Sequence, residues 1–413
     1  MTDANSVSPS LATLGTSGWQ MASSASAQAQ QLLNTRAGIA KVLNNQTGAA
    51  SNTNGVNNFK VAWIGNSIAL GGLAAPGPTT NGAKVLAPAF RMAQMLSSVG
   101  IPANAENFTG SQFTEPLATY TLYDPKLVSS ANWAVSTTVM GFGDNNHSLN
   151  NSSTTGTLTF TPGKSCDTYD VYFFNSGNAN ATAQVAGGSA VNMTVGNFSK
   201  ITATGTLGQP LVITPQGTAG GNLFVCGIVG YRSDIPEVSV YNLGISGAVA
   251  SGFNSILTLG YSAAMNIWGV AGTFAASLQP KLTIIEFGMN DWLTAVTPAA
   301  FSTALQNIIN FCRDTTTVPN GSDIILVSDP PAAYSGGPAI PLGTQQAYVA
   351  TMQNLALRNN IPFVDVWTRW QSWENANLVG FENSLADGKH PTALGYRDIA
   401  TAVTQILVNN AGP

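Results

Sequence analysis

Residues 59–72, FKVAWIGNSIALGG, are the stretch on which the fold turns. From Phe59 to Ile64 every residue but Lys60 is apolar, the composition of a strand covered on both faces in a parallel sheet. Gly65-Asn66-Ser67 breaks the run and leaves a serine at the strand's carboxyl end. Residues 82–100, GAKVLAPAFRMAQMLSSVG, then place apolar side chains at helical spacing and stop at Gly100. Strand, turn and helix make a βα unit.

Four more apolar runs follow much later, at 237–244 (EVSVYNLG), 281–288 (KLTIIEFG), 323–330 (DIILVSDP) and 361–367 (IPFVDVW). Helix-length segments such as 297–314 and 344–360 separate them. Alternating strands and helices predict a parallel sheet with helices on both faces, and ligands of such sheets sit beyond the strands' carboxyl ends. Ser67 therefore faces the expected crevice. Between the two parts the texture changes: 156–163, 168–177, 181–188, 189–196 and 222–233 are short β-prone runs closed mostly by Gly, Asn or Ser. They predict an antiparallel β-sandwich, jelly-roll-like, inserted into the α/β domain. The division read from this is a polar N-terminal segment and linker at 1–56, an α/β domain at 57–119 and 233–413, and the insert at 120–232. The insert reads equally as a carbohydrate-binding module or as a spacer.

Composition narrows the function. Only 8 % of the 413 residues are charged and the formal net charge is −4. No basic stripe is present, which argues against a nucleic-acid partner. No apolar run is long enough to span a bilayer, so no membrane partner is expected. The N-terminus lacks the basic and apolar regions of a signal peptide, and the localisation is left open, with virion association one reading. Residues 20–45 predict a polar helix that could serve homo-oligomer or virion assembly. Three cysteines, Cys166, Cys226 and Cys312, are too few for a disulfide framework. They read as buried thiols, with a Cys166–Cys226 bridge left open. With His147 and His390 the only histidines, no multi-histidine metal site can be built, and no metal or other cofactor is expected.

Three strand ends carry short motifs in order, Gly65-Asn66-Ser67, then NLGISG (242–247), then FGMND (287–291), and a fourth, DGKHP (387–391), precedes the last helix. In wording and order they resemble the four blocks of the SGNH, or GDSL-like, hydrolase family, over about 59–112 and 235–410. That resemblance implies a flavodoxin-like three-layer α/β fold with a parallel sheet, interrupted here by the sandwich, and an esterase activity.

The chemistry asks for the same residue types. A serine hydroxyl needs a base to take its proton, and His390 is the candidate. Asp387, three residues earlier, can accept the other imidazole N–H and fix the tautomer. A tetrahedral intermediate needs preorganised N–H donors. The resemblance assigns these to the Ser67 and Gly247 backbones and the Asn290 side chain, with Gly110 a competitor for the glycine's place. Asn66 stands where the family most often has Asp. Asp291 reads as the cap of a following helix or a helper behind Asn290. Asn66, Gly110, Asp291 and Trp292 are the candidate pocket residues, and the tryptophans near the motifs read as core or as pocket wall. His147 reads as a loop residue.

The sequence thus predicts a serine esterase acting on short acyl groups, acetyl first, with an acylated carbohydrate or a small ester as its partner. The insert resembles modules of carbohydrate esterases and phage tail proteins. A broad short-chain carboxylesterase and an inactive glycan-binding adhesin are the alternatives.

Overall fold

The computed structural model describes residues 32–44, 58–74, 83–109, 117, 121–122, 124–136, 148–177, 180–216, 221–253, 278–314, 321–333, 342–383 and 387–410. Its strands, in chain order, are β1 (Phe59–Gly65), β2 (Ala103–Asn104), β3 (Asn107–Phe108), β4 (Leu127–Ser129), β5 (Trp133–Ser136), β6 (Ser148–Asn151), β7 (Leu158–Phe160), β8 (Thr168–Asn175), β9 (Thr182–Val185), β10 (Val191–Asn192), β11 (Gly196–Thr204), β12 (Leu211–Thr214), β13 (Leu223–Tyr231), β14 (Val238–Gly244), β15 (Leu282–Phe287), β16 (Asp323–Ser328) and β17 (Phe363–Val364). The helices used below are α1 (Leu33–Asn44), α2 (Ser67–Leu70), α3 (Pro88–Ser98), α4 (Met289–Leu293), α5 (Pro298–Arg313), α6 (Leu342–Asn359), α7 (Val366–Trp370), α8 (Trp373–Leu378) and α9 (Ala393–Asn410).

Six strands form a parallel sheet in the order β17-β16-β15-β1-β14-β2. The chain lays β2 and β14 to one side of β1 and then crosses to build β15, β16 and β17 on the other. Strand order reverses at β1, so Ser67 leaves the sheet at the switch point where such sheets form their crevice. This is the parallel-sheet α/β architecture with a β-rich insert that the sequence predicted.

Side chains alternate across β1, and each face has its own core. Val61 and Trp63 join Val238, Val240 and Ile284 beneath α1, α3 and α9. Ala62 and Ile64 join Tyr241, Leu243 and Ile285 beneath α5 and α6, and the same core takes in Tyr172, Phe198, Phe224, Cys226, Val229 and Tyr231 of the insert. The helix of residues 82–100 begins in earnest at Pro88, after a single 3₁₀ turn at Ala83–Leu86, because proline suits the first helical position and not the interior.

The insert is the crossover between β2 and β14. Its two antiparallel sheets have the orders β10-β9-β12-β7-β4 and β11-β8-β13-β6-β5. Every residue of β13 is buried, since one face lines the sandwich core with Val225 and Ile228 while the other lines the sheet core with Phe224 and Val229. The insert therefore covers the α/β sheet, as a crossover helix otherwise would. Its antiparallel pairing already begins at β3, which pairs with β13, earlier than the predicted residue 120. Hydrogen bonds fasten the join: Asn107 Nδ2 donates to the Val240 carbonyl at 2.8 Å and Thr109 Oγ1 to that of Asn242 at 2.7 Å. Buried Asp124 bridges Lys84 (3.1 Å) and Lys126 (3.0 Å). Burial alone would push its carboxyl up, but the two lysines hold it below the usual carboxylate range.

Of the helix predicted over 20–45, residues 33–44 form α1 and 20–31 lie outside the described residues; α1 docks on the sheet, where Ile39 and Val42 enter the core and Thr35 donates through its backbone N and Oγ1 to Asp323 Oδ2 at 2.6 and 2.8 Å. Asp323 anchors this helix to the end of β16. The three cysteines are buried free thiols, so the Cys166–Cys226 bridge left open by the sequence does not form. Among the described residues no helix is long and apolar enough to cross a membrane.

Candidate active site

The site begins with a turn that a side chain would block. A Cβ on Gly65 would lie 2.1 Å from the Glu286 carbonyl oxygen, so only glycine lets β1 end between the tips of β14 and β15. Asn66 then caps α2: its Oδ1 accepts from the Ile68 backbone N at 2.8 Å, satisfying one of the donors a helix start leaves free. Ser67 is the first residue of α2. Its Oγ lies 2.9 Å from His390 Nε2, and His390 Nδ1 lies 2.8 Å from Asp387 Oδ1. The other carboxylate oxygen of Asp387 accepts from the His390 backbone N at 2.7 Å. With Nδ1–H donating to Asp387, the Nε2 lone pair is aimed at the serine hydroxyl. Burial works to raise the Asp387 carboxyl, yet its hydrogen bonds to the His390 ring and backbone hold it below the ordinary carboxylate range.

Two further turns flank Ser67 because their strands flank β1. After β14 the Ile245 N donates to the Gly65 carbonyl at 2.9 Å, and the loop exposes Gly247 with φ +75°, a conformation that favours glycine. After β15, α4 presents Asn290, whose Nδ2 donates to the Ala248 carbonyl at 3.1 Å. Asp291 accepts from the Ala250 N at 3.0 and 3.2 Å, so α4 holds the Gly247 loop at two points. The arrangement can pass a proton from Ser67 to His390 beside a set of N–H donors.

The segment 229–397 matches the model of the GDSL-like lipase/acylhydrolase family. The chain carries a GDSL-like lipase/acylhydrolase domain. It is thereby a hydrolase acting on esters, with an acylated substrate. The matched range holds Gly247, Asn290, Asp387 and His390 but not Ser67, which the parallel sheet brings to them. Among solved structures, a peptidoglycan O-acetylesterase shares 16 % identity over 90 % of this chain and 95 % of its own, with a TM-score of 0.57. A Geobacillus acetyl-xylooligosaccharide esterase mutant shares 19 % identity over 42 % of this chain and 73 % of its own, TM-score 0.30. A carbohydrate acetylesterase from Sinorhizobium meliloti shares 14 % over 42 % and 79 %, TM-score 0.32. No curated protein matches the chain in sequence.

Not every residue picked from sequence lies in the crevice of the acylhydrolase domain. Asn66 is fully buried and faces Asp329 (Nδ2 to Oδ2, 2.8 Å). Trp292 is a core residue whose indole N–H donates to Thr344 Oγ1 at 2.7 Å. Trp63, Trp370 and Trp373 are buried as well. Asp291 caps neither neighbouring helix: Gly288 precedes α4 and Thr297 caps α5. Its carboxyl, pushed up to about 6 by burial against the Ala250 bond, serves the Gly247 loop instead. Gly110 and His147 lie outside the described residues. Among the described residues no group of three His, Cys, Asp or Glu could hold a metal ion.

Four residues near the site carried no sequence signal. The imidazole packs on Gly72, where a Cβ would sit 3.3 Å from His390 Cδ2 and 3.0 Å from the Ser67 carbonyl oxygen. Tyr396 Oη, from α9, donates to the Gly72 carbonyl at 2.6 Å. Asp329 lies under the nucleophile turn. Glu382 is buried with both carboxylate oxygens unpartnered, and burial together with the nearby Asp387 charge pushes it up to about 9. Gly72, Tyr396 and Asp329 act across long sequence separations, so only a pattern of paired residues could have pointed to them.

Proposed function

We propose that this acylhydrolase domain is a serine esterase that removes short acyl groups, acetyl above all, from a carbohydrate. Ser67 is the nucleophile, His390 the general base and acid, and Asp387 the partner that holds the imidazole's tautomer and stabilises its charged form. The observation that carries this reading is the unbroken row Ser67 Oγ–His390 Nε2–Nδ1–Asp387 Oδ1, at 2.9 and 2.8 Å.

In the first step Ser67 Oγ attacks the ester carbonyl and its proton passes to His390 Nε2. The carbonyl oxygen becomes an anion facing the Ser67 and Gly247 backbone N–H groups and the Asn290 side-chain amide. Such donors act strongest where charge develops. Collapse expels the sugar hydroxyl, protonated by His390, and leaves an acyl-serine. Water, deprotonated by His390, then attacks the acyl carbon, and the bond from that carbon to Ser67 Oγ breaks as His390 returns the proton to the serine, releasing the carboxylic acid.

Acetyl and carbohydrate are supported by the peptidoglycan O-acetylesterase likeness, because that fold extends over 90 % of this chain and so spans the insert as well as the acylhydrolase domain. The insert is assigned to hold the polymer. The test is acetate release from a panel of acetylated glycans, run beside acetyl and octanoyl aryl esters and with labelling by a serine-directed phosphonate. Acetate release, with label on Ser67, is the expected result. Octanoyl turnover without glycan deacetylation would make the chain a broad carboxylesterase, and absence of label would favour a glycan-binding protein without activity.

A further inference from the structure

Asp329 is the first residue beyond β16, two strands away from β1, yet its Oδ2 reaches both turns that build the site. It accepts from Asn66 Nδ2 at 2.8 Å and from the Met289 backbone N at 2.5 Å. Asn66 directly precedes Ser67, and Met289 directly precedes Asn290. The Asn66 amide is oriented by its other end, since Oδ1 is engaged by the Ile68 N at 2.8 Å. One oxygen is therefore a common acceptor for the nucleophile turn and for the turn that carries the side-chain donor, and sliding either turn relative to the other lengthens one of its bonds. Asp329 itself is only 4 % exposed and its Oδ1 has no hydrogen-bond partner, so the carboxyl can be doing this only through Oδ2.

We propose that Asp329 is a positioning residue for ester hydrolysis, setting the distance between Ser67 and Asn290 by holding Asn66 and Met289 on one oxygen. The inference rests on the reading of Ser67 as nucleophile and Asn290 as oxyanion donor. The residue type at 66 is explained by it: an aspartate there would place a second carboxylate oxygen 2.8 Å from Asp329 Oδ2, and two carboxylates so close keep a proton between them. An asparagine supplies a donor to Asp329 and an acceptor to Ile68 with no proton required. The acids facing Asp329 are Glu286 of β15 and Asp291 of α4. Glu286 is fully buried, accepts from Trp63 Nε1 at 2.7 Å, and is raised well above the carboxylate range by burial and by Asp329. Burial pushes Asp329 up to about 7 against its two donors.

Three variants test this, with kcat, KM and the pH profile on a small acetyl ester as readouts. Asp329→Ala removes the shared acceptor and is expected to lower kcat roughly 10–100-fold with KM changed far less, the signature of misplaced reacting groups. Asp329→Asn keeps one oxygen able to accept from both donors and is expected to recover most of that loss. Asn66→Asp is expected to work only while the 66–329 pair keeps its proton, so the alkaline side of its kcat profile moves to lower pH. A folded Asp329→Ala enzyme with normal kcat overturns the proposal. So does Asp329→Asn as impaired as Asp329→Ala, or an Asn66→Asp profile that matches wild type. If Asp329→Ala fails to fold, the other two variants decide. Phosphonate labelling of wild-type Ser67 separates the two readings, since failure there removes the nucleophile assignment and not the clamp alone.

Discussion

The two halves of the site are held in different ways. The half on the sheet consists of the Ser67 turn, the Gly247 loop and α4, each at the tip of one of three adjacent strands, β1, β14 and β15. Its fasteners are buried: Asp329 and Asp291 bind backbone or side-chain N–H groups at 2.5–3.2 Å. The half that carries Asp387 and His390 lies on a loop before α9. It is held by one bridge between Glu382 and Pro391, by Asn383 Nδ2 donating to the His390 and Pro391 carbonyls at 2.8 and 3.0 Å, and by contact with Gly72. A parallel sheet fixes its strand tips through many hydrogen bonds at once, whereas the loop half is held mainly by bonds within its own segment, from Gly380 to Thr392. Apart from the reacting side chains themselves, changes on the sheet side should therefore act through chemistry, and changes around the loop through placement and stability.

The largest losses are expected at the reacting atoms. Ser67→Ala and His390→Ala are each expected to lower kcat on the order of 10⁶-fold without loss of the cooperative thermal transition, and Asp387→Asn about 10⁴-fold by favouring the wrong tautomer. A Ser67→Ala enzyme of normal activity would end the proposed mechanism.

Next in size is Asn290→Ala, which should cost roughly 10²–10³-fold in kcat with KM little changed. A loss confined to KM would make Asn290 a pocket residue instead, because uniform binding leaves kcat intact.

On the loop side, Gly72→Ala pushes a methyl against the imidazole and the Ser67 carbonyl. We expect about a tenfold fall in kcat and a stability cost of about 1–3 kcal/mol, typical of overpacking, read by steady-state kinetics and denaturant melts. A kcat as low as that of Asn290→Ala would show that the loop half tolerates displacement no better than the sheet half.

The smallest effect should appear in stability alone. Glu382 is neutral in the fold up to about pH 9, whereas an unfolded glutamate ionises near 4.3. The folded protein thus binds the extra proton between these values, and stability contributed by the neutral acid is lost as pH rises through that window. Glu382→Gln should raise Tm more at pH 8 than at pH 5 and leave kcat at neutral pH nearly unchanged. Equal shifts at both pH values would show that Glu382 does not titrate in this window.

Much of this was legible because it is local. A strand buried on both faces must be apolar throughout, and a helix that covers it must repeat at 3.6, so β1, β14, β15 and β16 and the helices α5 and α6 stood out from composition alone. The four motifs marked Ser67, Gly247, Asn290, Asp387 and His390 because their wording and order resemble the blocks of a known hydrolase family. β17 was overread, since 361–367 gives two strand residues before α7 begins.

By itself, then, the sequence determined the alternation of strands and helices, the β-rich insert and the side chains offered at the strand tips, because these follow from periodicity and from residue types that end a strand. Only the tertiary structure decided that the insert covers the parallel sheet, that α1 docks on its other face, that Trp292 and Asn66 are buried, and that Asp329, Gly72 and Tyr396 adjoin the site. These depend on which donor meets which acceptor and which surface meets which core across separations such as the 263 positions between Asn66 and Asp329. Neither partner's neighbours in the chain carry a trace of that meeting; it arises when the sheet closes and every buried polar group must find a partner.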